Sequence, residues 1–395
     1  MTNFFRSLAT LLCVVSLAAP AAAQQTETGK SDDAGFVGRI KDYLDKQKDG
    51  ESKPKDREPE GFYARIGGLT TGSGFAAGGG YRTHLLERAL YADLSGVVSL
   101  KRYVALDGRL RLPSPSPDFL EFWTSVAYRR FPQEDYFGLG ADSLEENRSN
   151  YRIDSVDVGG QAIVLLTPAF RVGADIGYFM PTLKPGTDSR FPTTELRFTD
   201  ATAPGLSAQP DFLHYGLFMT GDTRDVRGNP RNGGLYEVTL AQWNDRTFDA
   251  YNFRRFDAEA RHYVSLGSPR HVVAGRGGLS FVNNSEGERV PFYVYPYVGG
   301  ANSIRSYTEF RFRDENAFFI SGEYRFGLMK YVQLVGFADA GKVASDWQEI
   351  NFSDLKKGYG FGIRAGLENR TFVRLDIGTG GGEGRHVFLK FLPSF

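Results

Sequence analysis

The sequence predicts an all-β protein, a sixteen-stranded antiparallel transmembrane β-barrel, and three observations predict it. From Gly61 to Phe395, apolar and polar residues alternate with period two, the repeat of strands with two unlike faces. The 395 residues include 47 Gly, 32 Phe and 20 Tyr, yet only 41% are hydrophobic and the mean hydropathy is −0.34. That excludes a bundle of apolar helices. Residues 1–23 have the organisation of a secretory signal peptide. A barrel with lipid outside and water inside accounts for all three.

The signal peptide has a charge at Arg6, an apolar run from Leu8 to Ala19, and small residues at Ala21, Ala22 and Ala23, which predicts cleavage before Gln24. The apolar run is too short to span a bilayer as a helix. The single cysteine, Cys13, lies within it, so the mature chain is expected to use neither a disulfide framework nor a thiolate metal site. Residues 24–60 follow as a densely charged linker, expected on the periplasmic side. Within it Phe36, Val37, Ile40, Tyr43 and Leu44 fall at helical spacing, which places a short helix over 34–46. The favoured reading of 24–60 is a solvated linker; the sharper one is a helix that plugs a pore or docks on a partner.

The barrel, residues 61–395, reads as strands near 62–68, 75–82, 89–99, 101–112, 119–131, 151–166, 169–178 and 211–221, then 234–243, 254–266, 270–282, 317–327, 331–341, 358–367, 371–378 and 385–395. Sixteen is an even number, as a closed bacterial barrel requires. In 254–264, Arg255, Asp257, Glu259 and Arg261 alternate with Phe256, Ala258, Ala260 and His262; in 371–377, Arg374 and Asp376 alternate with Val373, Leu375 and Ile377. The pattern fits a charged lumen against lipid, but alternation alone does not give direction, since a soluble sandwich shows the same period with the opposite sense. Connections alternate too: short at 167–168, 267–269 and 368–370, long at 132–150, 179–210, 283–316 and 342–357. Short periplasmic turns against long external loops is the outer-membrane pattern. The stretch 222–233 departs from it, being long on the turn side.

The end of the chain, "RHVFLKFLPSF", sets Val387, Leu389 and Phe391 on one face and closes on Phe395. It looks like the signal by which the barrel assembly machinery takes up outer-membrane barrels for insertion. Further back stand "TRDVRGNPRNGGLYEVTL" at 223–240, "YVGGANSIRSY" at 297–307, "ISGEYRF" at 320–326 and "VGFADAGKV" at 335–343. In this order and spacing they resemble the BamA/TamA family of outer-membrane assembly factors, also called the bacterial surface antigen family, over Thr223 to Phe395. The resemblance implies a barrel of sixteen strands whose sixth external loop folds back into the lumen and carries a V/I-R-G-F/Y tetrad. Ile304, Arg305, Ser306 and Tyr307 stand in those places, Ser306 where the family has Gly. It further implies that Arg305 meets Asp339 and Glu323, since a guanidinium forks onto carboxylates. Gly299, Gly300, Gly336 and Gly341 are expected to leave room for the loop against the wall.

These readings point to a barrel of the Gram-negative outer membrane, in contact with its lipid, that assists insertion or passage of proteins or lipids. The family's periplasmic POTRA modules do not fit in 24–60, so a separate periplasmic partner is expected, docked on that segment. The alternative is a passive, porin-like or structural barrel without insertase activity. No enzyme and no cofactor are expected: His84, His214, His262, His271 and His386 are scattered, and no nucleophile, zinc or phosphate-loop motif appears. A lipid-facing hydrolase built on His262 is a minor alternative. Lys+Arg equals Asp+Glu at 47 each, which argues against nucleic acid as a partner.

Overall fold

A computed structural model describes residues 60–391 apart from Thr71 and Arg88. The signal peptide, the 34–46 helix and Phe395 lie outside the described residues. Sixteen antiparallel strands form one sheet, each bonded to its sequence neighbour. They are β1 (Gly61–Gly67), β2 (Ala76–Leu85), β3 (Leu90–Ser99), β4 (Val104–Leu112), β5 (Leu120–Tyr136), β6 (Ser149–Thr167), β7 (Phe170–Pro185) and β8 (Phe212–Asp222). The second half contains β9 (Gly233–Asp245), β10 (Phe253–Leu266), β11 (Ser268–Asn284), β12 (Asn316–Met329), β13 (Val332–Ala344), β14 (Lys356–Leu367), β15 (Arg370–Thr379) and β16 (His386–Phe391).

The structure gives the alternation its direction. Charged residues point inward, as Glu259 does to accept from Arg276 at 2.9 Å, while Val126, Ile176, Leu217, Leu240, Ile363 and Ile377 stand exposed on the outer face. A contiguous apolar outer wall belongs in lipid, not water. Two predicted loops begin later than the sequence suggests. β5 runs on to Tyr136 through a register shift at Phe131/Glu134, and β7 runs on to Pro185. At 17, 19 and 16 residues, β5, β6 and β7 exceed the roughly 9–11 tilted residues that cross a bilayer, so they rise beyond it on the loop side. On that side Tyr136, Tyr151, Phe212, Phe253, Val290 and Phe292 form an apolar cap, in which Tyr151 meets Phe292 and Phe212 meets Phe253 edge to face.

Strands β1 to β4 are short, at seven to ten residues. Among the described residues no ladder joins β16 to β1. The two edges approach where a Cβ on Gly67 would lie 3.1 Å from the Phe391 carbonyl oxygen, and Phe75 meets Phe391 edge to face at 5.2 Å.

Candidate functional site

The connection between β11 and β12, residues 285–315, supplies the site. Inside it Tyr297–Val298 pairs with Phe312–Arg313 as a two-residue ladder. Gly299 and Gly300 turn the chain at φ of 116° and 88°, a region that favours glycine. Ser303 Oγ accepts from Gly299 N–H at 2.8 Å, and Gly300 N–H donates to the Tyr307 carbonyl at 3.0 Å. The result is a tight ring, 299–307, that presents Arg305 at its tip.

Arg305 is 1% exposed. Its Nε and Nη2 donate to the two oxygens of Asp339 at 2.8 and 2.6 Å, and its backbone N–H donates to the same carboxylate at 3.0 Å. Nη1 donates to Glu323 at 2.5 Å and Nη2 also to Ser321 Oγ at 2.9 Å. The guanidinium carbon lies 3.5 Å from the Phe337 ring centroid, a cation–π contact. The fork on Asp339 fixes orientation as well as position.

Neighbouring strands enlarge the pair into a buried cluster. Arg364 and Arg374 donate to Asp376 at 2.5 and 2.6 Å, Arg364 reaches Glu323 at 3.1 Å, and Arg325 donates to Glu323 at 2.9 Å. Four guanidiniums thus surround three carboxylates drawn from the loop and from β12 to β15. Desolvating that many charges is tolerable only because each carboxylate receives several donors; removing one member strands the others.

The rest of the tip is held by two hydroxyls and one ammonium, each on a neutral acceptor. Ser306 Oγ donates to the Lys357 carbonyl at 2.9 Å, Tyr307 Oη to the Gly381 carbonyl at 2.8 Å, and Lys390 Nζ to Asn302 Oδ1 at 2.6 Å. Ile304 is fully buried with Val298, Tyr307, Phe312 and Val343. The ring therefore leans on the wall from β12 to β16.

The structure brings together Ile304, Arg305, Ser306, Tyr307, Glu323 and Asp339. It corrects the glycines. A Cβ on Gly341 would meet Phe318 of the adjacent strand at 2.5 Å, Gly336 has nothing within 4 Å, and Gly299 and Gly300 pack on their own loop. Close loop–wall approach is provided instead by Gly358, against Ser306 Oγ, and Gly378, against the Arg305 carbonyl. Sequence reasoning also missed Ser321, Arg325, Arg364, Arg374 and Asp376 as members of the cluster; the charged phase of 371–377 was the available signal for Asp376 and Arg374. At the C-terminal strand Val387 and Leu389 face outward, while His386, Phe388 and Lys390 sit on the opposite phase. His262 accepts or donates one hydrogen bond with Tyr236 Oη at 2.7 Å. Among the described residues no group of three or more His, Cys, Asp or Glu could hold a metal ion.

The profile of the Omp85 superfamily domain matches residues 105–377. A search of curated proteins finds no match. Among solved structures, BamA from Haemophilus ducreyi lacking POTRA domains 1–3 superposes with a TM-score of 0.63 at 14% identity, covering 93% of this chain and 79% of that one. CdiB from Escherichia coli superposes with a TM-score of 0.56 at 11% identity, covering 85% of this chain and 63% of that one. Both show the same barrel fold.

Proposed function

The chain belongs to the Omp85 superfamily, and from that premise we propose that it assists insertion or passage of proteins, or of lipids, at the outer membrane together with a separate periplasmic partner. The observation that carries the reading is the loop tip clamped in the lumen by Arg305 against Asp339 and Glu323. A barrel whose own loop occupies its lumen is organised around a held and releasable element rather than around an open channel. Its short-turn side, with residues 24–60, faces the periplasm, where that partner docks. Val387, Leu389 and Phe391, with Phe395, act as the signal for its own insertion.

The test is reconstitution in liposomes with an unfolded outer-membrane protein as client and the appearance of its heat-modifiable form as readout. Faster client folding than in liposomes carrying an unrelated barrel supports the reading; equal rates refute it. The passive-channel alternative is read in planar bilayers. A porin conducts steadily as wild type, whereas a clamped lumen conducts little until residues 297–312 are removed.

A further inference from the structure

The connection between β8 and β9, residues 223–232, crosses toward the far wall on the turn side. Its stem stays paired, with Thr223 N–H on the Gly234 carbonyl at 2.8 Å and Asp225 N–H on the Asn232 carbonyl at 3.1 Å. Its tip reaches β13 and the β14–β15 turn. Thr371 N–H donates to the Gly228 carbonyl at 3.1 Å, Asn229 Nδ2 to the Glu368 carbonyl at 3.3 Å, and Gln333 Nε2 to Asn229 Oδ1 at 3.4 Å. A Cβ on Gly228 would lie 2.5 Å from the Asn369 carbonyl oxygen, so this contact needs glycine. The strap is a built element rather than slack chain.

Between the strap and the turns after β10 and β12 lies a cavity of about 320 Å³. Arg231, Arg270 and Lys330 line it, against the single carboxylate of Glu368. The other lining cation, Arg364, is committed to Asp376 and Glu323. Among the described residues Arg231, Arg270 and Lys330 have no carboxylate partner. Arg270 is held in place by donating to the Gly327 and Leu328 carbonyls at 3.1 and 3.3 Å. Beside these cations Leu328, Met329 and Tyr331 stand exposed.

We infer that this cavity binds the phosphate of a phospholipid headgroup. Convergent guanidinium and ammonium donors suit a phosphate oxyanion. The exposed apolar residues beside them offer glycerol and acyl carbons a surface that a free phosphate ion cannot use. Because Asn229 and Arg231 form one wall, the site is complete only while the strap is docked, and lipid occupancy stabilises the docked strap by linkage. The inference rests on the barrel's place in a membrane but not on its insertase task.

The test uses the full chain in nonionic detergent, titrated calorimetrically with dihexanoyl phosphatidylglycerol and, separately, with inorganic phosphate. The short-chain lipid is expected to bind saturably and about tenfold or more tighter than phosphate, the equivalent of about 1.4 kcal/mol. Combined Arg231→Glu and Lys330→Glu should weaken lipid binding by about tenfold or more. Lys330→Gln, on an exposed turn, should weaken it less and keeps the test open if the double variant does not fold, which heat-modifiability reports. Equal affinity for phosphate and lipid overturns the headgroup reading in favour of a small-anion site. Lipid binding unchanged by the substitutions overturns the site itself. Client folding is measured separately, so loss of the insertase reading leaves this result intact.

Discussion

The backbone carbonyl of Arg305 occupies the space that any side chain on Gly378 would take: a Cβ there would lie 1.8 Å from the oxygen. The loop tip is thus seated by shape as well as by charge. Gly378→Val leaves every member of the charge cluster in place and removes only the space. Overpacking of this kind costs about 1–3 kcal/mol. The loop should then yield to trypsin at Arg311 and Arg313, which are 3% and 2% exposed in the docked state. Protection equal to wild type shows that the carbonyl contact does not seat the loop.

The charged half of the clamp predicts a thermodynamic cycle. Arg305→Ala leaves Asp339 buried without its fork, and Asp339→Ala leaves Arg305 likewise. Each should destabilise the docked loop by about 3–5 kcal/mol at full burial. The double variant should fall well short of the sum, because both changes remove one contact. Arg305→Lys should rescue only in part, since it keeps the charge and loses the two-pronged geometry. Unfolding in urea, followed by the loop's protease resistance, measures all four. Additive effects place Arg305 and Asp339 in independent environments.

Much of this was legible in the sequence. Period two, carried over many strands, located all sixteen, because a barrel wall with lipid on one side and charge on the other forces that pattern on every strand. Arg305, Glu323 and Asp339 came from the family resemblance that the order of motifs carries. Arg364 and Asp376 did not, because their meeting depends on the register that sets Gly362 opposite Asp376 and Arg364 opposite Arg374. Phase alone does not encode register. It does separate Gly336, on the face of Val332 and Leu334, from any lumen role. The late start of two loops escaped because β5 and β7 continue above the bilayer, where aromatic cap packing replaces lipid and the simple alternation gives way.

Asp376, absent from the sequence-based site, should matter as much as Asp339. It is fully buried and receives Arg364 and Arg374. Asp376→Asn keeps the shape and removes the charge, leaving four guanidiniums to two carboxylates. The barrel should lose its heat-modifiable form at a lower temperature, by the equivalent of about 3–5 kcal/mol. Ser321→Ala, which removes a hydroxyl that donates to Asp339 and accepts from Arg305, should cost less, about 1.5–3 kcal/mol. If the two variants melt alike, Asp376 is not a centre of the cluster.

The strap should respond to acid through Asp225. Burial disfavours its charge, but backbone N–H groups of Arg231 and Val226, at 3.0 and 2.8 Å, and the Asn232 amide outweigh that and hold its carboxyl below the ordinary carboxylate range. A depressed carboxyl favours the docked strap fully above its unfolded value of about 3.9, and that support is lost as pH falls through the lower folded value. Neutral pH therefore favours the closed strap, and strong acid weakens it. Asp225→Asn accepts fewer and weaker hydrogen bonds at every pH, so its strap should already be loose at neutrality. Hydrogen exchange of the 226–231 amides is the readout. Wild type should exchange slowly at neutral pH and gain opening only below the carboxylate range, after correction for the intrinsic acid dependence of exchange, while Asp225→Asn should exchange fast throughout. Identical protection in the two proteins at neutral pH means that the tip contacts at Gly228 and Asn229 hold the strap without help from its own carboxylate.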